Sequence, residues 1–370
     1  MVSEQVFIAK IEPSYVFKKE KIFFISHLKD FDGIGSAAIA KIAFGNKLER
    51  TIFSDFGKNA AEELKGELEK DIPKNSIVMF VDISMNEDAA EIYKELFKKL
   101  KESNNLIVWL DHHPIGPQAK RVLEDYADFA IGGEQKICGA EVLLKYIIEP
   151  NEQFINLTNE KIGKINKIGE MAHISDFALR GTPYDKELDE ATYAIASYLD
   201  DGDRTGMQEG LNKIAEIIAE NVEEFDKDEF IVERSALYKK KQTELKEELK
   251  SNSYLIGNKI KAIVGFNFSG SLQTNDGCSF LLGLDKAQKE GAKLAVYVKL
   301  KLGSVHLRSI DKAIDTSILA KKFGGNGHPP ASAFPIPGEF KNIRSPEDMK
   351  RFAEYLEKEI SETYEKLRVA

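Results

Sequence analysis

Three short, nearly unbroken apolar runs most constrain the fold of this chain: Ile22–Ser26, Ile77–Val81 and Leu106–Leu110. Each ends abruptly in charged or imidazole residues, and charged helical patterns separate them. Continuous apolar strands are typical of a sheet covered on both faces. Their alternation with helices through short connections predicts an α/β architecture with right-handed crossovers and a parallel sheet. Arg50–Ser54 and Tyr126–Ile131 can add strands, and Ile34–Phe44, Asn59–Lys70, Glu87–Lys101 and Gly139–Ile148 read as helices.

From about Asn151 the pattern turns helical, at Ile162–Ala178, Lys186–Leu199 and Met207–Ala219. A Lys/Glu-dense segment, Glu229–Lys250, then looks like a connecting helix. Lys259–Phe266, Leu294–Leu302 and Val305–Ser309 return to strand patterns, with Lys301–Ser304 as a hairpin turn. Thr316–Phe323 reads as a helix halted by Gly324-Gly325. Ser345-Pro346 opens a last one, whose face carries Phe352, Leu356, Ile360, Tyr364 and Leu367. The expected domains are a parallel-sheet one over 1–205, a helical linker over 206–252 and a smaller α/β domain over 253–370.

A net charge of -9 argues against a surface built to grip long nucleic acid through many phosphates. No apolar stretch approaches the roughly 20 residues of a membrane span, and the N-terminal residues lack signal-peptide character. Cys138 and Cys278 have no metal spacing, so a reducing cytoplasm is expected and both read as core residues.

If the three strands share one parallel sheet, their trailing residues meet at its carboxyl edge, where such sheets bind ligands. After Ser26 come His27, Asp30, Asp32, Gly33 and Gly35; after Val81 comes Asp82; after Leu110 come Asp111, His112 and His113. Carboxylates and neutral imidazoles suit divalent ions such as manganese. So many carboxylates favour two ions over one, since unpaired they would repel each other. Taken singly, Asp32 and Asp82 would read as helix caps and the glycines as simple turns; their joint position is the specific signal.

These motifs resemble the DHH phosphoesterase superfamily, over roughly Ile22 to Ile336. They are His27-x-x-Asp30-x-Asp32-Gly33, Val81-Asp82-Ile83-Ser84, Asp111-His112-His113, Ser175-Asp176, and Phe323-Gly324-Gly325-Asn326-Gly327-His328-Pro329. The last is similar to the glycine-rich signature of the DHH-associated second domain. The resemblance implies two Mn2+ ions, with Mg2+ or Co2+ as alternatives. His27, Asp30 and Asp82 would hold the first, and Asp32, Asp82, His112 and Asp176 the second. Asp111 would orient an imidazole and His113 would face the substrate phosphate; both are the expected catalytic residues. His173 reads as a supporting or core residue.

In the second domain the glycines before His328 would let backbone amides approach phosphate, and Asn326 tolerates left-handed geometry. His306 and Arg308, two apart on a strand, should share a face. Arg308, Gly324, Gly325, Asn326, Gly327 and His328 are thus the expected substrate contacts. The implied activity is hydrolysis of short nucleotidic diesters: cyclic di-AMP, linear diadenylate or very short RNA. Competing readings are a RecJ-like single-strand exonuclease, a 3′-phosphoadenosine nucleotide phosphatase, a manganese pyrophosphatase, and a metal-loaded nucleotide sensor without turnover. Lys239-Lys240-Lys241-Gln242 lacks the leading Ser-Arg of the pyrophosphatase signature. A homodimer is compatible with all of these.

Overall fold

The structure, a computed structural model, describes residues 5–155, 157–199, 203–269 and 274–367. It divides into two compact units, Met1–Ala236 and Leu237–Ala370. Among the described residues, no helix is long and apolar enough to cross a membrane.

The first unit is built on strands β1 (Val6–Ala9), β2 (Ile22–His27), β3 (Leu48–Ser54), β4 (Ile77–Val81), β5 (Leu106–Leu110) and β6 (Phe129–Gly132). Their order is β1-β6-β5-β4-β2-β3. All pairs are parallel except β1 with β6. Alternate residues of each apolar run face opposite sides. Met79, Val81, Val108 and Leu110 enter one core with the helices Phe31–Phe44 and Asn159–Asp176. Val78, Phe80, Ile107 and Trp109 enter the other with Lys58–Lys70, Ala90–Glu102 and Pro117–Tyr126. Two-sided burial explains why these strands lack a polar alternation.

The helix after β2 and the helix after β4 lie against opposite faces, and β2 and β4 are adjacent. Their carboxyl ends therefore flank the point where the winding direction reverses, the position at which open parallel sheets form a crevice. On the outer side of β3, the Gln208 side chain accepts from the Phe53 N–H at 2.8 Å and donates to its carbonyl at 2.6 Å. The Asn212 amide reaches the Thr51 carbonyl at 3.2 Å.

Several expectations shift. β1 has no counterpart in the sequence reading. β6 starts at Phe129 because the unforeseen helix Pro117–Tyr126 takes up Tyr126. Gly139–Ile148 divides into a short α-helix and a wider π-type turn over Leu144–Ile148. All but the first two residues of the helix Arg204–Glu220 fall in the expected linker, yet Leu211, Ile214, Ala215 and Ile218 are fully buried in the first unit's core. That burial is why the division falls at 236 rather than 205.

The second unit contains β7 (Ser253–Ile256), β8 (Ala262–Asn267), β9 (Leu294–Lys299), β10 (Ser304–Ser309), β11 (Asn326–His328) and β12 (Ala331–Pro335), ordered β11-β12-β10-β9-β8-β7. One sheet face packs under the helix Pro346–Leu367, through Phe352, Leu356, Ile360 and Tyr364; the Leu367 side chain lies outside the described residues. The hairpin strand ends at Lys299 rather than Leu302, which is exposed beside Gly303 at φ 65°. The expected glycine loop is in part an edge strand, since Asn326–His328 pairs with Ala331–Ala333.

Candidate metal centre

The carboxyl ends of β2, β4 and β5 bring the predicted ligands together. Asp30 caps the helix Phe31–Phe44, its Oδ1 accepting from the Gly33 N–H at 3.1 Å. The cap is thus Asp30, whereas the lone-residue reading had given that role to Asp32. Asp32 instead turns inward, fully buried, and accepts from the N–H groups of Gly139 at 2.6 Å and Ala140 at 2.8 Å. The start of a second helix therefore cradles this carboxylate. Glycine is required at 139: a Cβ there would stand 2.5 Å from the Asp82 Cβ. Gly33 is equally constrained, as its Cβ would lie 2.1 Å from the His27 carbonyl oxygen.

Asp82 sits just past β4 in a left-handed conformation, φ 55°, rare for a residue with a side chain. Its N–H donates to the Leu110 carbonyl at 2.9 Å, fixing the turn against β5. The His27 Nδ1 is 2.8 Å from Asp30 Oδ2 and 3.7 Å from Asp82 Oδ2. The His112 Nε2 is 3.4 Å from Asp82 Oδ1 and 4.0 Å from Asp32 Oδ2, and its Nδ1 is 3.7 Å from Asp176 Oδ2. Two donor groups can each hold an ion, His27–Asp30–Asp82 and Asp32–His112–Asp176, and a third set joins Asp82, Asp111, His112 and His113.

The donor chemistry fits divalent cations. Asp82 Oδ2 and His112 Nε2 are buried without a hydrogen-bond partner among the described residues, a costly arrangement for polar atoms unless a ligand engages them. Burial, followed by the charge of Asp30, raises the Asp32 carboxyl to about 7 against the pull of the two N–H donors. Burial and then Asp32, Asp30 and Asp111 push Asp82 well above the carboxylate range. Burial also raises Asp176 and lowers His112. Burial opposes charge on His27, but Asp30 and Asp55 outweigh it and raise the imidazole to about 9. Bound cations would replace protons as the neutralising charge.

In the ion-free protein these shifts predict stability that declines with rising pH. Asp32 moves from 3.8 to about 7 on folding, so its contribution is complete below 3.8 and lost by about 7. His27 moves from 6.5 to about 9, and its contribution is lost across that higher window. Thermal melts in EDTA from pH 5 to 9 should show a falling Tm, and manganese should flatten the trend. A metal-free Tm that stays level or rises over this range would contradict the picture.

His113 differs from His112. Its Nδ1 lies 2.8 Å from Asp111 Oδ1, and its side chain is 29% exposed. Burial lowers the His113 pKa, but the hydrogen bond and charge of Asp111 overcome it and raise the imidazole. His173 packs on Phe177 with ring centroids 4.5 Å apart, and its Nδ1 is 2.7 Å from Glu141 Oε2. Because Glu141 follows the two N–H groups that hold Asp32, this contact ties together the helices bearing on Asp32 and Asp176. Asp55, Phe56 and Glu141 were not singled out in the sequence; only Asp55, directly after a strand, had a positional hint. Both cysteines are buried, and burial pushes the Cys278 thiol up to about 12.

In the second unit, β10 alternates as expected: Val305 and Leu307 are buried while His306 and Arg308 share the opposite face. Arg308 and His328 are both in register with Ala331 on the strand between them. They therefore lie on one face, about 10 Å apart across a small residue. Burial and then Lys299 lower His306 to about 4, and its Nε2 is 3.0 Å from Ser304 Oγ.

No curated protein matches the chain by sequence. Among solved structures, the fold is similar to exonuclease RecJ bound to manganese, with a TM-score of 0.54 and 14% identity over 95% of this chain and 94% of that one. RecJ from Thermus thermophilus in complex with Mn2+ matches with a TM-score of 0.50 and 14% identity, over 93% of this chain and 54% of that one. An exopolyphosphatase-related protein from Bacteroides fragilis matches with a TM-score of 0.50 and 16% identity, over 94% and 95% of the two chains. At these identities the likeness is one of fold. In sequence, residues 21–172 match the DHH family, N-terminal domain. The stretch from β2 to the helix that leads into Asp176 is therefore an N-terminal domain of the DHH family.

Proposed function

We propose that this chain is a manganese-dependent phosphodiesterase acting on short nucleotidic substrates: linear diadenylate, cyclic di-AMP or RNA of a few nucleotides. The observation that carries the reading is the crowding of Asp30, Asp32, Asp82 and Asp176 around His27 and His112 at one sheet edge. Manganese suits mixed imidazole and carboxylate donors, and it is the ion named with two of the similar exonuclease structures. His27, Asp30 and Asp82 hold one ion; Asp32, Asp82, His112 and Asp176 hold the other. When bound, such a pair polarises a phosphoryl group and acidifies water for in-line attack.

The chain's own residues supply the rest. Asp111 holds the Nδ1 side of His113, so the opposite nitrogen can donate to a phosphoryl oxygen or to the leaving group. Neither cysteine takes part. In the second unit, Arg308 and His328 take a phosphate or nucleotide remote from the scissile bond, with Gly324, Gly325, Asn326 and Gly327 shaping the approach. Hydrolysis of cyclic di-AMP, linear diadenylate, short RNA, single-stranded DNA and pyrophosphate with manganese tests the reading. Turnover confined to long single strands or to pyrophosphate would overturn it.

Arg308→Ala or His328→Ala should leave ion binding intact and lower kcat/KM on linear diadenylate by about tenfold to a hundredfold, as one lost charge-assisted contact does. A small phenyl phosphodiester has nothing to place on that sheet face and should be cleaved nearly as before. Equal losses on both substrates would remove the second unit from selection.

A further inference from the structure

We propose that Asp55 is a positioning residue that presents His27 to its ion, with Phe56 clamping the ring; this rests on the metal reading given above. β3 runs parallel to β2 with Ser54 in register with His27, so the residues following Ser54 emerge beside the imidazole. The Asp55 Oδ1 lies 3.6 Å from His27 Nε2, on the edge of the ring opposite Asp30 and Asp82.

Asp55 is itself held on two sides. Its Oδ2 pairs with the Lys29 amine, and its Oδ1 accepts from the Phe56 N–H at 2.8 Å. The Phe56 ring stacks on His27 with centroids 4.1 Å apart and planes 15° from parallel. It also meets His113 edge-on at 5.0 Å. Gly57, at φ 87°, turns the chain directly afterwards into the helix Lys58–Lys70.

An imidazole that ligates through one nitrogen carries its hydrogen on the other, and the partner of that hydrogen sets the tautomer. Were a cation held by Nδ1 with Asp30 and Asp82, the ring's hydrogen would sit on Nε2, facing the Asp55 carboxylate. The stacked Phe56 opposes rotation of the ring out of that plane. Asp55 stands outside the donor groups that can hold an ion, so it acts through His27.

Manganese titration of Asp55→Ala should show one of the two ions weakened by about 10–100-fold and the other bound as in the wild type. Asp55→Asn, whose amide oxygen can still accept from Nε2–H, should recover most of the affinity. In zinc-loaded, histidine-labelled protein, 15N NMR should show a protected Nε2–H on His27 that exchanges faster in Asp55→Ala. Equal weakening of both ions, or unchanged binding with an unchanged His27 signal, overturns the assignment. Failure of the wild type to bind two ions instead sinks the metal reading on which it rests.

Discussion

Asp82→Asn will abolish hydrolysis and strip the site of both ions while leaving the protein folded. Asp82 is within reach of both donor groups through His27 and His112, so its loss cannot be confined to one ion. Asparagine is the informative replacement, because the residue occupies left-handed backbone at φ 55° and asparagine tolerates that region better than alanine. It also removes a carboxyl that burial, and then the charges of Asp32, Asp30 and Asp111, hold well above the carboxylate range, so the metal-free variant should melt no lower than the metal-free wild type. Manganese titration, melting and turnover on linear diadenylate check the three parts. Near-wild-type hydrolysis by a folded variant would show that the centre has been misread.

His113→Ala should retain both ions and lose roughly 10²–10⁴-fold in kcat, the usual size of a lost proton-transfer or charge-stabilising group. His112→Ala, which removes a group facing Asp32, Asp82 and Asp176, should lose manganese instead. Bound-metal analysis of the two variants separates adjacent residues that sequence alone presents as a pair. Equal metal loss in both would defeat the division of roles.

The parts of the fold legible in the sequence are those whose signal is local. Ile77–Val81 and Leu106–Leu110 announce themselves because burial on both faces demands unbroken apolar side chains. The convergence of His27, Asp82 and Asp111 follows from strand direction alone. Elements defined by distant partners were not legible. β1 exists through its antiparallel pairing with β6, more than 120 residues later, and β11 through its pairing with β12. The Asp55–Phe56 contact with His27 depends on β3 lying next to β2, which periodicity does not encode. The same holds for Glu141 against His173, since no local pattern states which helix another will meet.

The amide side chains along β3 have a consequence for association between molecules. A sheet margin with open peptide groups invites a strand from another chain, and proteins commonly block it with charge, proline or a covering element. Here Gln208 imitates the next strand, taking both peptide groups of Phe53, and Asn212 takes the Thr51 carbonyl. Growth of the sheet by intermolecular strand addition is thereby closed off beside the loop that carries Asp55. A protein lacking both amides would keep its donor groups yet gain a sticky margin, and its cost would be read in solubility rather than in chemistry.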